Sequence, residues 1–586
     1  YPYRDWPSGG ERIMLRLLAV LLICATGVLN AQTLSGQISG TVFDASEALV
    51  PGADVSIRNT GTGAVRKSAS NESGYYFFTD LLPGEYEITV ERTGFRRSVQ
   101  SAIVLNANSK LTVNATLQPG ATTEVVQVTA SVNQVETSSG EIGAVISSRQ
   151  VTGLSLNGRN YIQLLQLIPG VSVDYTSSFD SSTSVAAQHV NGLRGNSNGL
   201  MVDGTYNLDV GSNGTHLVNP SVDSIQEVKI ATNAYSAEYG HAQGGQINVV
   251  TKGGTQQFHG GAFEFLRNDK LDASDWIANR SGQKKRPLRF HDYGVNLGGP
   301  VFVPGRWNAD RSKMFFFFST SFRHSTLGQT QTANVPTAEE RQGDFRNSAL
   351  AIPTDPVTKQ PLNPGNSRVL PPSLFSKNGP LLLKPYPLPN TGGSGFNFIR
   401  QNIASNPQEQ QVLRADYNVS AKTQAFFRWI RDLFDSRDQG NGSALGIVGN
   451  TNTRNGTLLS LNISHTFSPA AVNVFNFSLS GNRINNFPVT TNFRRDGLGL
   501  TYPKLFDSNR YQVGPDVSIQ GFTGYGVGSN LQNFQWMFVW RDDFSYVRGT
   551  HALKFGIWLE RFRKNANVLQ SGPRDNGSVA LSRTSG

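Results

Sequence analysis

Apolar and polar side chains alternate with a period of two through the last third of the chain. In residues 532–563, Phe534, Trp536, Phe538 and Trp540 take every second position, with Gln535, Met537, Val539 and Arg541 between them. After the turn Arg548-Gly549-Thr550-His551, Leu553, Phe555, Ile557 and Leu559 resume the alternation. Successive strand side chains point to opposite faces, so each run predicts a strand with one greasy and one mixed face. Residues 412–431 and 457–483 repeat this design about the short turns Ser420-Ala421-Lys422-Thr423 and Ser468-Pro469-Ala470-Ala471. Polar stretches near 433–456 and 484–531 separate the hairpins and read as long loops. Short turns at one end and long loops at the other predict a meandering antiparallel sheet, the pattern of a membrane-spanning β-barrel. A secreted sandwich would alternate in the same way with its greasy face inward, and that reading stays open. Two features favour the barrel. Strands of about ten residues suit a tilted crossing, and aromatics are expected near strand ends as interfacial girdles (Phe315 to Phe318, Trp429, Tyr546, Trp558).

The beginning of the chain reads differently. Residues 1–13 precede Met14 and are expected to be spurious upstream sequence. Residues 14–31 read as a secretory signal peptide: Met14 and Arg16, the short apolar core Leu17–Leu29, then Asn30-Ala31-Gln32. The single cysteine, Cys24, lies inside that segment, and Ile23 before it is too large for a lipoprotein processing site. Cleavage at Ala31 would leave no cysteine, which removes disulfides and cysteine metal sites from the mature chain. The 52 Lys and Arg against 42 Asp and Glu are spread diffusely, with Lys284-Lys285-Arg286 the nearest thing to a basic run. Nucleic-acid binding would need a concentrated stripe, so it is not expected.

Enzymatic chemistry finds no support. The eight histidines are scattered without an H-E-x-x-H pair, and neither a G-x-S-x-G elbow nor a P-loop is present. Gly524-Tyr525-Gly526-Val527-Gly528 lacks the strand–helix setting of a dinucleotide site and reads as an outer loop. No catalytic, cofactor-binding or metal residue is nominated.

Residues 33–118 predict a small sandwich of about seven short strands separated by Gly, Pro and Asn turns. Gly40/Val42/Asp44, Pro51/Gly52/Ala53/Val55, Gly74/Tyr76/Phe78 and Leu82/Pro83/Gly84/Tyr86/Ile88 follow in order. They resemble the carboxypeptidase-regulatory-like domain, a transthyretin-like sandwich grouped with carbohydrate-binding-like folds and lacking the catalytic zinc residues of its namesake. Tyr75, Tyr76 and Tyr86 could stack on a sugar or pack in the core.

Residues 119–135 form a linker containing Glu124, Val125, Val126, Gln127 and Val128. Read blandly, this is one more edge strand. It also resembles the TonB box, which TonB-dependent receptors offer to an energy-transducing protein by strand addition. Residues 136–252 resemble the plug of that receptor family. The matches run through Leu165-Gln166-Leu167-Ile168-Pro169-Gly170-Val171, the Arg194-Gly195 pair, and Val202-Asp203-Gly204, and end in Gly244-Gly245-Gln246-Ile247-Asn248-Val249-Val250-Thr251-Lys252. Residues 253–586 then read as the N-terminal part of the barrel. Leu297-Gly298-Gly299-Pro300-Val301 and Gly549-Thr550-His551-Ala552-Leu553-Lys554-Phe555-Gly556 are similar to receptors with the regulatory-like domain (Oar-type).

The resemblance implies an all-β chain: a transthyretin-like sandwich, a mixed plug domain, and a partial antiparallel transmembrane β-barrel. Such barrels have about 22 strands, whereas about nine are counted between Phe258 and Arg563, so a C-terminally incomplete chain is expected. Its open edges would leave unpaired backbone groups in the bilayer. The implied function is an outer-membrane receptor that binds an extracellular ligand, of glycan or peptide class or otherwise, and imports it through the plugged barrel. Ligand capture is expected from loops such as 325–409 and from a plug apex near Met201–Tyr206. Implied partners are a TonB-type energy transducer, outer-membrane lipid and lipopolysaccharide, with the N-terminal domain in the periplasm. An adhesion or export-associated barrel, or a non-functional fragment retaining a carbohydrate-binding-like module, are the alternatives.

Overall fold

A computed structural model describes residues 35–121, 124–129, 139–173, 188–280 and most of 282–581. Above 282 the gaps fall chiefly at 351–353, 439–443, 490–492, 502–513, 527–530 and 569–577. The expected segments 1–13 and 14–31, linker residues 130–135 and Thr550 lie outside the described residues.

The N-terminal module is a two-sheet sandwich. Tyr75–Leu81, Gly36–Asp44, Lys110–Thr112 and Ala115–Leu117 make one sheet. Val65–Ala69, Asp54–Asn59, Gly84–Glu91, Arg97–Leu105 and Val125–Thr129 make the other, in that order. Period-two residues from both sheets fill one core: Ile38, Val42, Val55, Ile57, Ile88 and Val90 are all essentially inaccessible. Tyr76 and Tyr86 join that core, their hydroxyls donating to the Val113 and Leu82 carbonyls, so neither forms a surface stacking platform.

The plug is a five-stranded sheet in the order Ile142–Ser147, Ile225–Asn233, Gln246–Thr251, Gly199–Val202, Thr205–Tyr206. The helix Ser148–Gly153 and the 3-10 segment Tyr161–Leu167 cover it, burying Val151, Tyr161, Ile162, Leu164 and Leu165.

Nine antiparallel strands follow as one continuous sheet, each paired with the next: His259–Asn268, Leu288–Pro300, Met314–Ala333, Phe398–Asn418, Thr423–Asp438, Gly449–Ser468, Ala471–Val489, Leu531–Arg548 and His551–Val568. The connections at 419–422, 469–470 and between Arg548 and His551 are short, as the pattern predicts. The strands are longer than expected, at 16 residues for Thr423–Asp438 and 21 for Phe398–Asn418. An apolar band about 25 Å tall, crossed at about 40°, needs only about ten residues at about 3.3 Å each. The remainder is polar strand running past the band, so most of the described part of the expected loop 433–456 is sheet, as are 484–489 at the start of the expected loop 484–531. The expected capture loop 325–409 is likewise strand at both ends, leaving 334–397 as the connection.

Which face is buried decides between barrel and sandwich. On the inner face Arg428, Asp432, Ser460, Asn462, Asn476, Ser478, Gln535 and Arg541 are buried. On the opposite face Phe534 (43% exposed), Trp540 (39%) and Leu413 (36%) stand outward. A soluble sandwich would have this the other way round. A wet inner wall and a greasy outer one fit lipid outside and a protein-filled lumen inside.

Three aromatic expectations are corrected. Phe315 and Phe317 turn inward and are buried, leaving Phe316 and Phe318 on the outer side. Trp558 lies mid-strand and packs inward against the plug core. Trp429 is also mid-strand, paired across the sheet with Leu413 and Leu459. At the strand ends opposite the short turns, Val335, Leu382, Tyr386, Phe493 and Tyr525 bring the connecting segments into a small shared core.

Candidate functional site: the plug and the inner wall

The Asp203-Gly204 pair is a two-residue hairpin turn joining Gly199–Val202 to Thr205–Tyr206. Both residues have positive φ, 42° and 79°, which an Asp-Gly pair adopts readily. The turn delivers the Asp203 carboxylate against the wall. There it forms an ion pair with Arg428, whose side chain is 0% exposed. Arg428 Nη2 also donates to the Val202 carbonyl at 2.9 Å. On the other side Asp203 accepts from the Thr251 amide (2.9 Å) and hydroxyl (2.5 Å). Arg414 Nη1 reaches the Thr251 carbonyl at 3.2 Å, and its guanidinium pairs with Asp416 at 2.8 Å. One carboxylate therefore ties the hairpin turn, the last plug strand and the wall together.

Three more ion-pair clusters pin the plug. Asp209 meets Lys564 Nζ at 2.6 Å and Asn533 Nδ2 at 3.2 Å. Glu238 meets Lys554 at 2.8 Å and Arg541 at 3.3 Å. With the sign reversed, plug Arg159 reaches wall Asp292 at 3.2 Å and Asp223 at 2.5 Å, its guanidinium lying 3.7 Å over the Phe265 ring. Asn219 completes the seal, its amide donating to Asp432 at 2.9 Å. Burial pushes the Asp209 carboxyl up, but Lys564 and the Gly211 and Ser212 amides outweigh it and hold it below the usual range. Between these polar contacts, wall residues Val412, Ile430, Leu458, Met537 and Val539 join the plug core directly.

Asp203 and Gly204 thus lie at this interface. Arg194 lies elsewhere: it is exposed, leads into the 3-10 turn Gly195–Ser197, and shares no described contact with Asp203. Gly195 is buried. Met201–Tyr206 is not the outermost part of the plug. Arg428 sits five residues above the start of its strand at Thr423, while Asp209 meets Lys564, thirteen residues above His551. The segment around Asp209 therefore lies nearer the long-loop end. Sequence reasoning placed Thr251 and Glu238 within plug motifs without giving them wall partners, and gave no role to Arg428, Asp209, Lys564, Arg541 or Arg159. A usable signal was there: Arg428 between Phe427 and Trp429, and Arg541 after Trp540, are charges on the inward phase of otherwise apolar runs.

The segment Glu124–Val128 lies on the N-terminal sandwich. Val125–Thr129 adds parallel to Arg97–Ser101 as the outermost strand of its sheet. Glu124 pairs with Arg96 at 2.7 Å, and Val125 and Val128 are about half exposed.

A sheet that is apolar outside, polar inside and wrapped about a plug defines a plugged outer-membrane β-barrel. Residues 250–586 match the family described as Outer membrane beta barrel domain, and the chain belongs to it. Residues 142–246 match the TonB-dependent Receptor Plug Domain and 37–118 the Carboxypeptidase regulatory-like domain. Together these make the chain a TonB-dependent receptor with an N-terminal regulatory-like domain, located in the outer membrane. The chain is similar to the TonB-dependent transporter Oar of Myxococcus xanthus, 26% identical over 367 residues, covering 59% of this chain and 32% of that protein. It thus spans about a third of the length of the curated relative it matches. Among solved structures it is similar to the outer membrane transporter YddB from Escherichia coli (TM-score 0.41, 12% identity, 72% of this chain and 48% of that one). It is also similar to the siderophore receptor PirA from Acinetobacter baumannii (0.40, 10%, 74% and 49%).

Proposed function

We propose that the whole protein is an energy-coupled importer, which binds a ligand outside and admits it through the lumen when the plug rearranges. The observation that carries this is the way the plug is held. Its wall contacts are a few discrete ion pairs, Asp203 to Arg428, Asp209 to Lys564 and Glu238 to Lys554 and Arg541, around a limited apolar belt. Charged groups that separate into a wet lumen recover their hydration, so such an interface can open and reclose at lower cost than a wholly apolar one.

The pull is supplied by a TonB-type transducer that adds a strand to Val125–Thr129, whose outer edge has no strand partner among the described residues. Ligand capture falls to the connections that share the core of Val335, Tyr386, Phe493 and Tyr525, together with the plug segment around Asp209. The full-length gene lacking only Glu124–Val128 tests the reading. In a null strain grown across nutrient sources, the deletion should reproduce the growth defect of the null on whichever source shows one. Full complementation by the deletion would favour an adhesion or export-associated barrel whose plug stays put.

A further inference from the structure

The N-terminal sandwich is seated against the plug and the short-turn rim of the barrel. Its turn Asn106–Ser109 carries the Ala107 amide to the Glu227 carboxylate, 2.5 Å away on the plug strand Ile225–Asn233. The Asn108 carbonyl accepts from Lys229 Nζ at 3.2 Å on the same strand. Lys229 is further paired with Glu141 at 2.7 Å. Ala107 packs on Val250, and Ala107, Glu227, Lys229 and Val250 are each no more than 5% exposed. A second contact lies beside the first: the Gln256 amide, where the plug leads into the barrel, donates to the Gly61 carbonyl at 2.9 Å. A third reaches the rim, from Asn71 Nδ2 to the Gly549 carbonyl at 3.2 Å. Between them a cleft of about 290 Å³ is lined by Arg66, Glu85, Gln226, Arg414 and Asp416.

The chemistry of this interface is that of a joint that opens. Apart from Ala107 on Val250, every contact named is polar or charged, and each partner can be satisfied by water on separation. The gripping turn is also conformationally specified, since Asn108 has φ 54°, a left-handed conformation tolerated by Asn and Gly and resisted by β-branched residues.

We propose that the Asn106–Ser109 turn is a latch by which the N-terminal sandwich closes the periplasmic face of the plug, gripping Glu227 and Lys229 of one plug strand. The coupling strand Val125–Thr129 belongs to the same sandwich. On the importer reading a pull there would load the latch first, but the latch itself stands without transport.

The test uses the full chain in isolated outer membranes, without energy source or ligand. Val250→Cys places a thiol beneath Ala107, and a water-soluble maleimide reads its accessibility. Labelling should be slow in this background. Adding Asn108→Val should speed it about tenfold, the shift expected from losing one charge-assisted hydrogen bond, whereas Asn108→Gly should leave it slow. Glu227→Ala on the plug side should accelerate labelling as Asn108→Val does, and Glu227→Gln should do so less. If Val250→Cys labels as fast as a cysteine at exposed Thr93, or if neither Asn108→Val nor Glu227→Ala changes the rate, the latch is refuted. Retention of the importer reading then rests on the Glu124–Val128 deletion alone.

Discussion

Breaking the Asp203–Arg428 pair from one side should loosen the plug far more than removing both charges together. Arg428 is 0% exposed and has only Asp203 and the Val202 carbonyl as described partners. Asp203→Asn leaves a guanidinium in the wall with its charge uncompensated. Stranding one member of a buried pair costs about 3–5 kcal/mol, whereas replacing both by uncharged groups of similar size is often close to neutral. Arg428→Met alone strands Asp203, but the Thr251 amide and hydroxyl still satisfy the carboxylate, which places this variant at the lower end of that range. The double variant should recover most of the loss, giving a coupling energy of about 2 kcal/mol or more. The assay is plug displacement by urea, read as the concentration at which the full-length protein begins to conduct in a planar bilayer. With slopes of about 1–3 kcal/mol per molar urea, 3 kcal/mol lowers that concentration by about 1–3 M. Additive single losses below about 0.5 kcal/mol each would refute the pair as a plug anchor.

Three further outcomes follow from the same contacts. Gly456→Ala drives a Cβ into the Leu217 carbonyl of the plug, so it should destabilise plug seating by about 1–3 kcal/mol and lower the conducting urea concentration, while Gly499→Ala, at an open left-handed position outside the barrel sheet, should not. Lys564→Glu sets a second carboxylate against Asp209 and should displace the 207–217 segment, read as raised hydrogen exchange confined to it. Burial pushes Glu227 up from 4.5 to about 7, against the Ala107 amide and Lys229. An acid raised on folding contributes stability that is complete below pH 4.5 and fades as pH rises through about 7. Urea unfolding of the plug, with Lys229 and Glu141 the other charges facing Glu227, should therefore need more denaturant at pH 6 than at pH 8, and Glu227→Gln should flatten that dependence.

The strands were legible where one face meets lipid, because period-two alternation is strong in Phe534–Trp540 and Leu553–Leu559. It fails in 435–438 and 449–456, where the strands run past the membrane and both faces are polar, so the sequence there reads as loop. The Asp203-Gly204 turn was legible as a motif because its backbone demands those residues. Its partner Arg428 was not, since the pair joins positions 225 apart through the register of the plug inside the barrel. The same holds for Val125–Thr129. Its residue types suit an edge strand, but parallel addition to Arg97–Ser101 is a tertiary fact.

The most direct measurement scans single spin labels along residues 534–541 of the full-length protein in lipid vesicles, reading oxygen and aqueous-quencher accessibility at each position. Positions 534, 536, 538 and 540 should report lipid, and 535, 537, 539 and 541 a packed protein surface. Water at the first set, or no alternation between the two, would contradict a membrane-spanning sheet wrapped around a plug.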